Sequence, residues 1–219
     1  MRKFVLLAAV AALVAVPAGA RQGATPPAAP AFPAPSKDPA AAPAGAYNLD
    51  PNHTSVVWRV AHIGVSMYQA RFDKIAGALV FDPKNPAASK VDVTIDATSV
   101  STGHRDAEGK ASFDQKIAEQ ALGAAKNPTI RFVSKSATRT GPAAGAVTGN
   151  LTLNGVTRPT TLDVVFNGGL VHPFSKSYVI GFSARGKIKR SDFGIMNWAG
   201  AVGDEVEIAI ETEFQKAGK

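Results

Sequence analysis

The stretch EVEIAIETEF (205–214) alternates apolar and charged residues with a period of two. Apolar residues or Thr occupy the even positions from Val206 to Phe214, and Glu occupies most of the odd ones. Successive side chains of a β-strand point to opposite faces, so this pattern is typical of a strand with one buried and one solvated face. KVDVTIDATSV (90–100) repeats it. The chain is therefore predicted to fold as an antiparallel sheet.

A tight hairpin is predicted at Asn154-Gly155, which separates two β-rich runs within 151–166. Asn-Gly is the preferred pair for a type I′ turn, because both central residues of that turn take positive φ. Pro159 follows near the start of the second run, a position that an edge strand or a bulge tolerates. The other predicted strands are 54–60, 69–82, 129–139, 146–153 and 178–190.

One helical segment is predicted, over residues 104–125; it contains Gly109 and Gly123 and stops before Pro128. About eight strands with one helical insert predict an all-β fold, an antiparallel up-and-down barrel. The interior of an eight-stranded barrel is either filled by side chains or holds one slender ligand.

The first 46 residues differ in composition from the rest. Residues 1–20 combine two basic residues, an apolar run and a small-residue motif, an order typical of a cleaved secretory signal peptide. A retained membrane anchor is the alternative. Residues 21–46 are rich in Ala and Pro and are predicted to form an extended, solvated linker. The barrel is predicted over 47–216.

Composition excludes several classes of function. The chain has no cysteine, which excludes disulfides, thiol catalysis and cysteine-ligated metal sites. Its formal net charge is +7, but the Lys and Arg residues are scattered and no nucleic-acid motif is present. No nucleic-acid partner and no cofactor are predicted. Weak attraction to an anionic membrane surface stays compatible with this charge.

Two triplets, HRD at 104–106 and DFG at 192–194, match protein-kinase signatures. The kinase catalytic loop needs an Asn five residues after the Asp of HRD, and Ala111 stands there. The chain also lacks a glycine-rich phosphate loop. Kinase chemistry is therefore excluded.

Other polar residues are assigned local roles. No metal site is predicted, because the four histidines show no ligand spacing. His62 interrupts an apolar strand end where the barrel would open, so acid–base chemistry is its alternative role. Arg105 and Asp106 are predicted to form an ion pair or helix-start contacts, with a clamp on a ligand headgroup as the alternative. Ser191-Asp192 is predicted to form a turn.

The barrel interior is the candidate ligand site. Small inward residues at Gly77, Ala184 and Gly186 predict an incompletely filled interior, which a prenyl or acyl chain would complete. Each buried CH₂ contributes about 0.8 kcal/mol, so a five-carbon unit contributes up to about 4 kcal/mol. The predicted ligand-contacting residues are Trp58, Val60, His62, Phe72, Leu79, Phe81, Phe132, Phe166, Ile180, Phe182, Ala184, Ile208 and Ile210.

Several longer segments carry a family resemblance: YNLDPNHTSVVWRVAHIGVSMYQARF (47–72), VDVTIDATSVSTGHRDAEGK (91–110), GNLTLNGVTRPTTLDVVF (149–166) and IKRSDFGI (188–195). In this order they resemble the YceI-like family of periplasmic proteins, which have a lipocalin-like barrel and are described as polyisoprenoid-binding. HRD and DFG are fragments of these segments. Residues 111–129 are longer and richer in Ala than the corresponding family helix, which predicts a different cavity mouth.

The resemblance implies a periplasmic, non-enzymatic protein that carries or sequesters a polyisoprenoid or another long-chain amphiphilic lipid. A monomer or homodimer is expected, and the positive charge is compatible with transient contact to a membrane surface. A preference for prenyl over acyl chains rests on the resemblance alone. Two alternatives stay open: an enzyme acting on isoprenoid or quinone-like substrates, and a structural envelope stress protein with a filled barrel.

Overall fold

The computed structural model describes residues 32–218, so the predicted signal peptide and the first part of the predicted linker lie outside it. The described residues form one eleven-stranded sheet and one α-helix. The strands and the helix are β1 (Gly45–Leu49), β2 (Ser55–His62), β3 (Ser66–Phe72), β4 (Ile75–Phe81), β5 (Lys90–Asp96), β6 (Val100–Ser101), α1 (Ser112–Gln120), β7 (Thr129–Arg139), β8 (Ala144–Leu153), β9 (Val156–Val171), β10 (Tyr178–Lys189) and β11 (Val202–Lys216).

Eight of these strands close into an antiparallel barrel. Their order is β1-β4-β5-β7-β8-β9-β10-β11, and β11 pairs back to β1. β11 pairs with two strands along one edge. Its last residues pair with β1, and its earlier residues pair with β2. β2, β3 and β6 extend the wall beyond the ring. The predicted all-β barrel with one helical insert is confirmed.

Short turns divide the first long strands of the barrel. A 3-10 turn at Pro51–His53 separates β1 from β2, and another at Ala97–Ser99 separates β5 from β6. Each turn follows an aspartate, Asp50 or Asp96, whose carboxylate accepts a hydrogen bond from the backbone N–H two residues later. This local bond competes with the sheet ladder. The strand predicted over 90–100 is therefore interrupted at its end.

The helix is shorter than the predicted 104–125. Left-handed glycines flank it, with φ of 76° at Gly109 and 63° at Gly123, and this conformation ends an α-helix. α1 packs against β6 and buries Ile117 and Ala118. Within residues 32–218, no helix has the length and apolar character needed to cross a membrane.

The hairpin between β8 and β9 is the predicted type I′ turn, since φ is 50° at Asn154 and 73° at Gly155. Pro159 faces Asn150 of β8, while the pairing of β9 with β10 ends at Asp163. Pro159 therefore lies where β9 has a single partner among the described strands, as predicted for a residue without an N–H.

The end of the predicted linker differs from the solvated coil expected for it. Ser36 exchanges two backbone hydrogen bonds of 2.9 Å with Gly169 of β9. Pro39 and Ala42 are buried, and the Tyr47 hydroxyl donates to the Pro43 carbonyl at 2.6 Å. Ala and Pro are small and apolar, so they bury readily once the barrel offers a surface. This segment covers the barrel end that lies opposite α1.

Candidate ligand-binding cavity

A cavity of about 690 Å³ lies inside the barrel. This volume falls within the range typical of pockets for small organic ligands. Its wall consists mainly of inward-facing aliphatic and aromatic side chains, including the alternate residues of β11 that the sequence pattern identifies. The polar side chains in the wall are Thr54, His62, Lys116, Thr160, Arg190, Asn197 and Thr212, and Trp58 and Tyr68 add an indole N–H and a phenol hydroxyl.

Most of the predicted ligand-contacting residues line this cavity. Their inward orientation is an observation, whereas their contact with a ligand stays a prediction. The ten that line it are Trp58, Val60, His62, Phe72, Leu79, Phe132, Phe182, Ala184, Ile208 and Ile210.

The other three, Phe81, Phe166 and Ile180, lie outside its lining, at the barrel end covered by residues 36–47. The ring of Phe166 stacks on that of Phe81, with centroids 6.3 Å apart and planes 5° apart. It also meets the Phe182 ring edge-on at 5.5 Å. Ile180 is completely buried. We call this region the closed end, because the rings of Phe81, Phe166 and Phe182 pack together there and leave only a small pocket of about 130 Å³.

The inward glycines do not create the cavity, contrary to the expectation for Gly77 and Gly186. A Cβ atom added to Gly186 would lie 2.6 Å from Cδ2 of Leu162, and one added to Gly77 would lie 2.8 Å from Cγ2 of Val93. Side chains of neighbouring strands already occupy both spaces. Ala184 lines the cavity directly, and its contact with a ligand stays a prediction.

The cavity reaches the surface at the opposite end, which we call the mouth. Three segments frame it: the β2–β3 turn (62–66), the first turn of α1, and the loop 194–201 between β10 and β11. Each contributes a lining residue that is also exposed: His62, Phe113 and Asn197.

Aromatic and cationic side chains connect these segments. The Tyr68 ring lies 6.5 Å from the His62 ring and 6.1 Å from the Phe113 ring. The Lys116 ammonium lies 5.9 Å from the centroid of the Trp198 ring, within the range of a cation–π contact. α1 and the loop 194–201 thus meet across the mouth.

Arg190 fixes the shape of the loop 194–201. It is 8% exposed, and its guanidinium donates four hydrogen bonds of 2.8–2.9 Å to the backbone carbonyls of Ile195, Asn197, Val202 and Gly203. A buried cation needs such acceptors to offset lost hydration. The DFG triplet next to Arg190 therefore belongs to a structural loop, where Gly194 takes a left-handed φ of 72°.

Arg105 and Asp106 make the predicted helix-start contacts. Asp106 accepts hydrogen bonds from the Ser112 hydroxyl and the Lys110 backbone N–H, which lower the pKa of Asp106 below its ordinary value. Nη1 of Arg105 lies 3.4 Å from Oδ2 of Asp114. Neither Arg105 nor Asp106 is among the residues lining the cavity.

The fold brings Glu213 of β11 close to Asp50 and His53, which are neighbours at the β1–β2 turn. Ligand-type atoms of Asp50, His53 and Glu213 lie within 4.8 Å of one another. Burial alone would raise the pKa of Asp50, but hydrogen bonds from His53, Asn52 and Gln215 outweigh burial and lower it. The hydrogen bond between His53 and Asp50 raises the pKa of His53. The Asp50 carboxylate is thus satisfied by hydrogen bonds that tie the β1–β2 junction to β11.

Comparison with known proteins places this geometry in a family. The YceI-like domain matches residues 47–214. Protein YceI of Salmonella arizonae is 39% identical over 173 residues, which cover 78% of this chain and 86% of that protein.

Solved structures show the same fold. Burkholderia cenocepacia BcnA has a TM-score of 0.65 at 23% identity, covering 75% of this chain and 98% of that one. A polyisoprenoid binding domain from Saccharophagus degradans has a TM-score of 0.57 at 16% identity, covering 78% and 98%. The barrel, its helical insert and the sequence match agree: this chain belongs to the YceI-like family.

Proposed function

We propose that the protein binds a polyisoprenoid or another long-chain amphiphilic lipid inside the barrel, and carries or sequesters it. The observation that carries this proposal is the apolar cavity of about 690 Å³, which is closed by aromatic rings at one end and reaches the surface at the other. Such a shape suits a single chain bound lengthwise, with its polar head at the mouth.

The distribution of polar groups supports this orientation. His62 and Asn197 belong to the segments that frame the mouth, and Lys116 lies on the next turn of α1, whereas the wall between the mouth and the closed end is mainly aliphatic and aromatic. A polar head would therefore stay near water and polar partners while the chain loses its contact with water. Burying a head at the closed end would leave it unsatisfied at a cost of several kcal/mol, about 2–7 for a neutral group.

The energetics require no charged catalytic group. Each buried isoprene unit contributes up to about 4 kcal/mol, and association costs about 4–15 kcal/mol. Several buried units then suffice for micromolar binding, near about −8.2 kcal/mol. An apolar wall discriminates weakly between similar chains, so the preference for prenyl chains rests on the family and on the description of the Saccharophagus degradans domain.

The predicted signal peptide and the family membership support an exported, periplasmic location. A monomer or homodimer remains our proposal for the acting form. Catalysis on an isoprenoid or quinone-like substrate has one supporting observation, the position of His62 in the wall. Among residues 32–218, however, no side chain hydrogen-bonds to the His62 ring, and a base oriented by a third group is the usual sign of an activated nucleophile. The cavity itself argues against a filled barrel.

The test is the chemical content of the purified protein. Protein recovered from its exported compartment without detergent is extracted with organic solvent, and the extract is analysed by mass spectrometry. We expect one dominant long-chain species in near-stoichiometric amount, chemically unchanged in the matched variant His62→Ala. An extract free of lipid would contradict the proposal, and substrate turnover that disappears in His62→Ala would favour an enzyme.

A further inference from the structure

Four exposed apolar side chains surround the mouth of the cavity. Ile63 and Val65, on the β2–β3 turn, are 60% and 82% exposed; Phe113, on α1, is 36% exposed; Met196, in the loop 194–201, is 59% exposed. We call these four residues the apolar rim. Each of the three segments that frame the mouth contributes at least one of them.

The apolar rim continues the cavity wall to the outside. Phe113 belongs both to the apolar rim and to the cavity wall. Ile63 directly follows the lining residue His62, and Met196 directly precedes the lining residue Asn197. The Ile63 backbone N–H donates to the Ala201 carbonyl at 2.6 Å, which joins the β2–β3 turn to the loop. A lipid chain leaving the cavity would therefore pass directly over the apolar rim.

Ile63 is costly to the folded protein in two ways. Its φ of 43° is in the left-handed region, which is a genuine outlier for a β-branched residue, and its apolar side chain faces water. Asn or Asp would adopt this conformation with less strain. Stability of the isolated fold therefore does not account for Ile63, and strain of this kind is concentrated at functional sites.

We propose that the apolar rim docks on the surface of a lipid bilayer, so that a long-chain ligand moves between membrane and cavity without crossing water. The proposal rests on the lipid-binding function above and adds the surface through which the ligand is exchanged. The four side chains would insert among the lipids at the interface, where apolar area leaves water. Loss of Arg2 and Lys3 with the predicted signal peptide lowers the formal net charge from +7 to +5, which still adds attraction to anionic headgroups.

The closed end supplies a matched control. Phe174 is 78% exposed, close to the exposure of Val65, but it lies in the turn after β9 and packs edge-on against Phe32, with ring centroids 6.0 Å apart. It is not among the residues lining the main cavity. Val65→Asp and Phe174→Asp change the net charge equally, at opposite ends of the barrel.

The test is flotation of lipid-free protein with vesicles of phosphatidylethanolamine and phosphatidylglycerol. The double variant Ile63→Asn, Val65→Asp is expected to lose at least about tenfold in vesicle affinity, whereas Phe174→Asp keeps the affinity of the parent protein. Binding of the parent should persist in high salt, because insertion of uncharged side chains is not screened. Ile63→Asn alone should keep or raise the thermal midpoint, which separates lost docking from lost folding.

A fluorescent prenyl probe delivered from ethanol distinguishes the two proposals. The double variant should take up this soluble probe as the parent does, but acquire it from probe-loaded vesicles more slowly. If the parent takes up no probe, the lipid-binding function fails. If it takes up probe but does not float, or if Phe174→Asp reduces flotation as much as the double variant, docking through the apolar rim is overturned. If the parent protein self-associates and does not bind vesicles, and the double variant loses this self-association, the apolar rim is a dimer interface instead.

Discussion

The two ends of the barrel use the same strands for different purposes. Along β10, Phe182 packs into the ring cluster of the closed end, while Ile188 faces the cavity near the mouth. The closed end is covered by residues 36–47, which bury it, and the mouth is framed by segments that leave lining side chains in contact with solvent. An inward-facing apolar residue is therefore part of the packed core where other residues cover that end of the barrel, and part of the binding wall where that end is open.

The largest expected difference between the ends is in stability. Phe166 is 5% exposed and has rings on two sides, so Phe166→Ala should lower the free energy of unfolding by about 3–5 kcal/mol. Phe132→Ala, in the cavity wall, should cost clearly less, because that ring borders the cavity of about 690 Å³, whereas the pocket beside Phe166 measures only about 130 Å³. Denaturant unfolding of both lipid-free variants measures the difference. Equal losses would mean that the closed end and the cavity wall are packed alike.

Ala184 lies between the two regions and tests where the empty space begins. A ring introduced into a filled core typically costs about 1–3 kcal/mol, whereas the space beside Ala184 should accept it with a smaller loss. Ala184→Phe should therefore keep most of the thermal stability of the lipid-free protein and lose uptake of a prenyl or fatty-acyl probe. Lys187→Phe, on the outer face of β10, is the control and should bind normally. Strong destabilisation of Ala184→Phe, or normal probe uptake by it, would show that the packed region of the closed end reaches Ala184.

The smallest effect concerns the junction of β1, at the closed end, with β2, in the mouth wall. Asp50 raises the pKa of His53 above 6.5, so this contact stabilises the fold fully below pH 6.5, and the contribution is lost as pH rises through the raised pKa. The lowered pKa of Asp50 acts in the other direction: its contribution is present above 3.8 and is lost as pH falls through the lowered pKa.

The His53 side chain is 60% exposed, so solvent screening should keep its effect below about 1 kcal/mol. We expect the thermal midpoint to fall slightly more between pH 6 and pH 8, roughly across the ordinary histidine range, in the parent than in His53→Ala. The same slope in both proteins would show that His53 does not contribute to the junction.

Local patterns predicted much of this fold. Alternation identified β11 because one of its faces is wet, and Asn154-Gly155 identified a turn because few other residue pairs accept its backbone angles. The strand end at Asp96 was not predicted, because it depends on one side-chain hydrogen bond that outcompetes the ladder, and alternation carries no signal for it. The single strand predicted over 69–82 is divided into β3 and β4, and β1 was not predicted.

The limits at the site have a different cause. Alternation assigns a residue to the inner face but not to a height along the barrel axis, so Phe81 and Phe166 were grouped with true lining residues. The space beside Gly77 is occupied by the Val93 side chain of the neighbouring strand. His53 comes close to Glu213 only because β11 pairs with β1 to close the barrel. Such long-range relations are absent from any short window of sequence.

The buried N-terminal segment has a practical consequence for handling the protein. Ser36 pairs with Gly169 at the closed end, and near the other terminus Lys216 pairs with Tyr47. Both ends of the described chain therefore leave the barrel on the side away from the mouth. A fluorescent partner or a sensor surface joined close to Ser36 or Lys216 would therefore hold the protein by its closed end, with the mouth directed toward the solution.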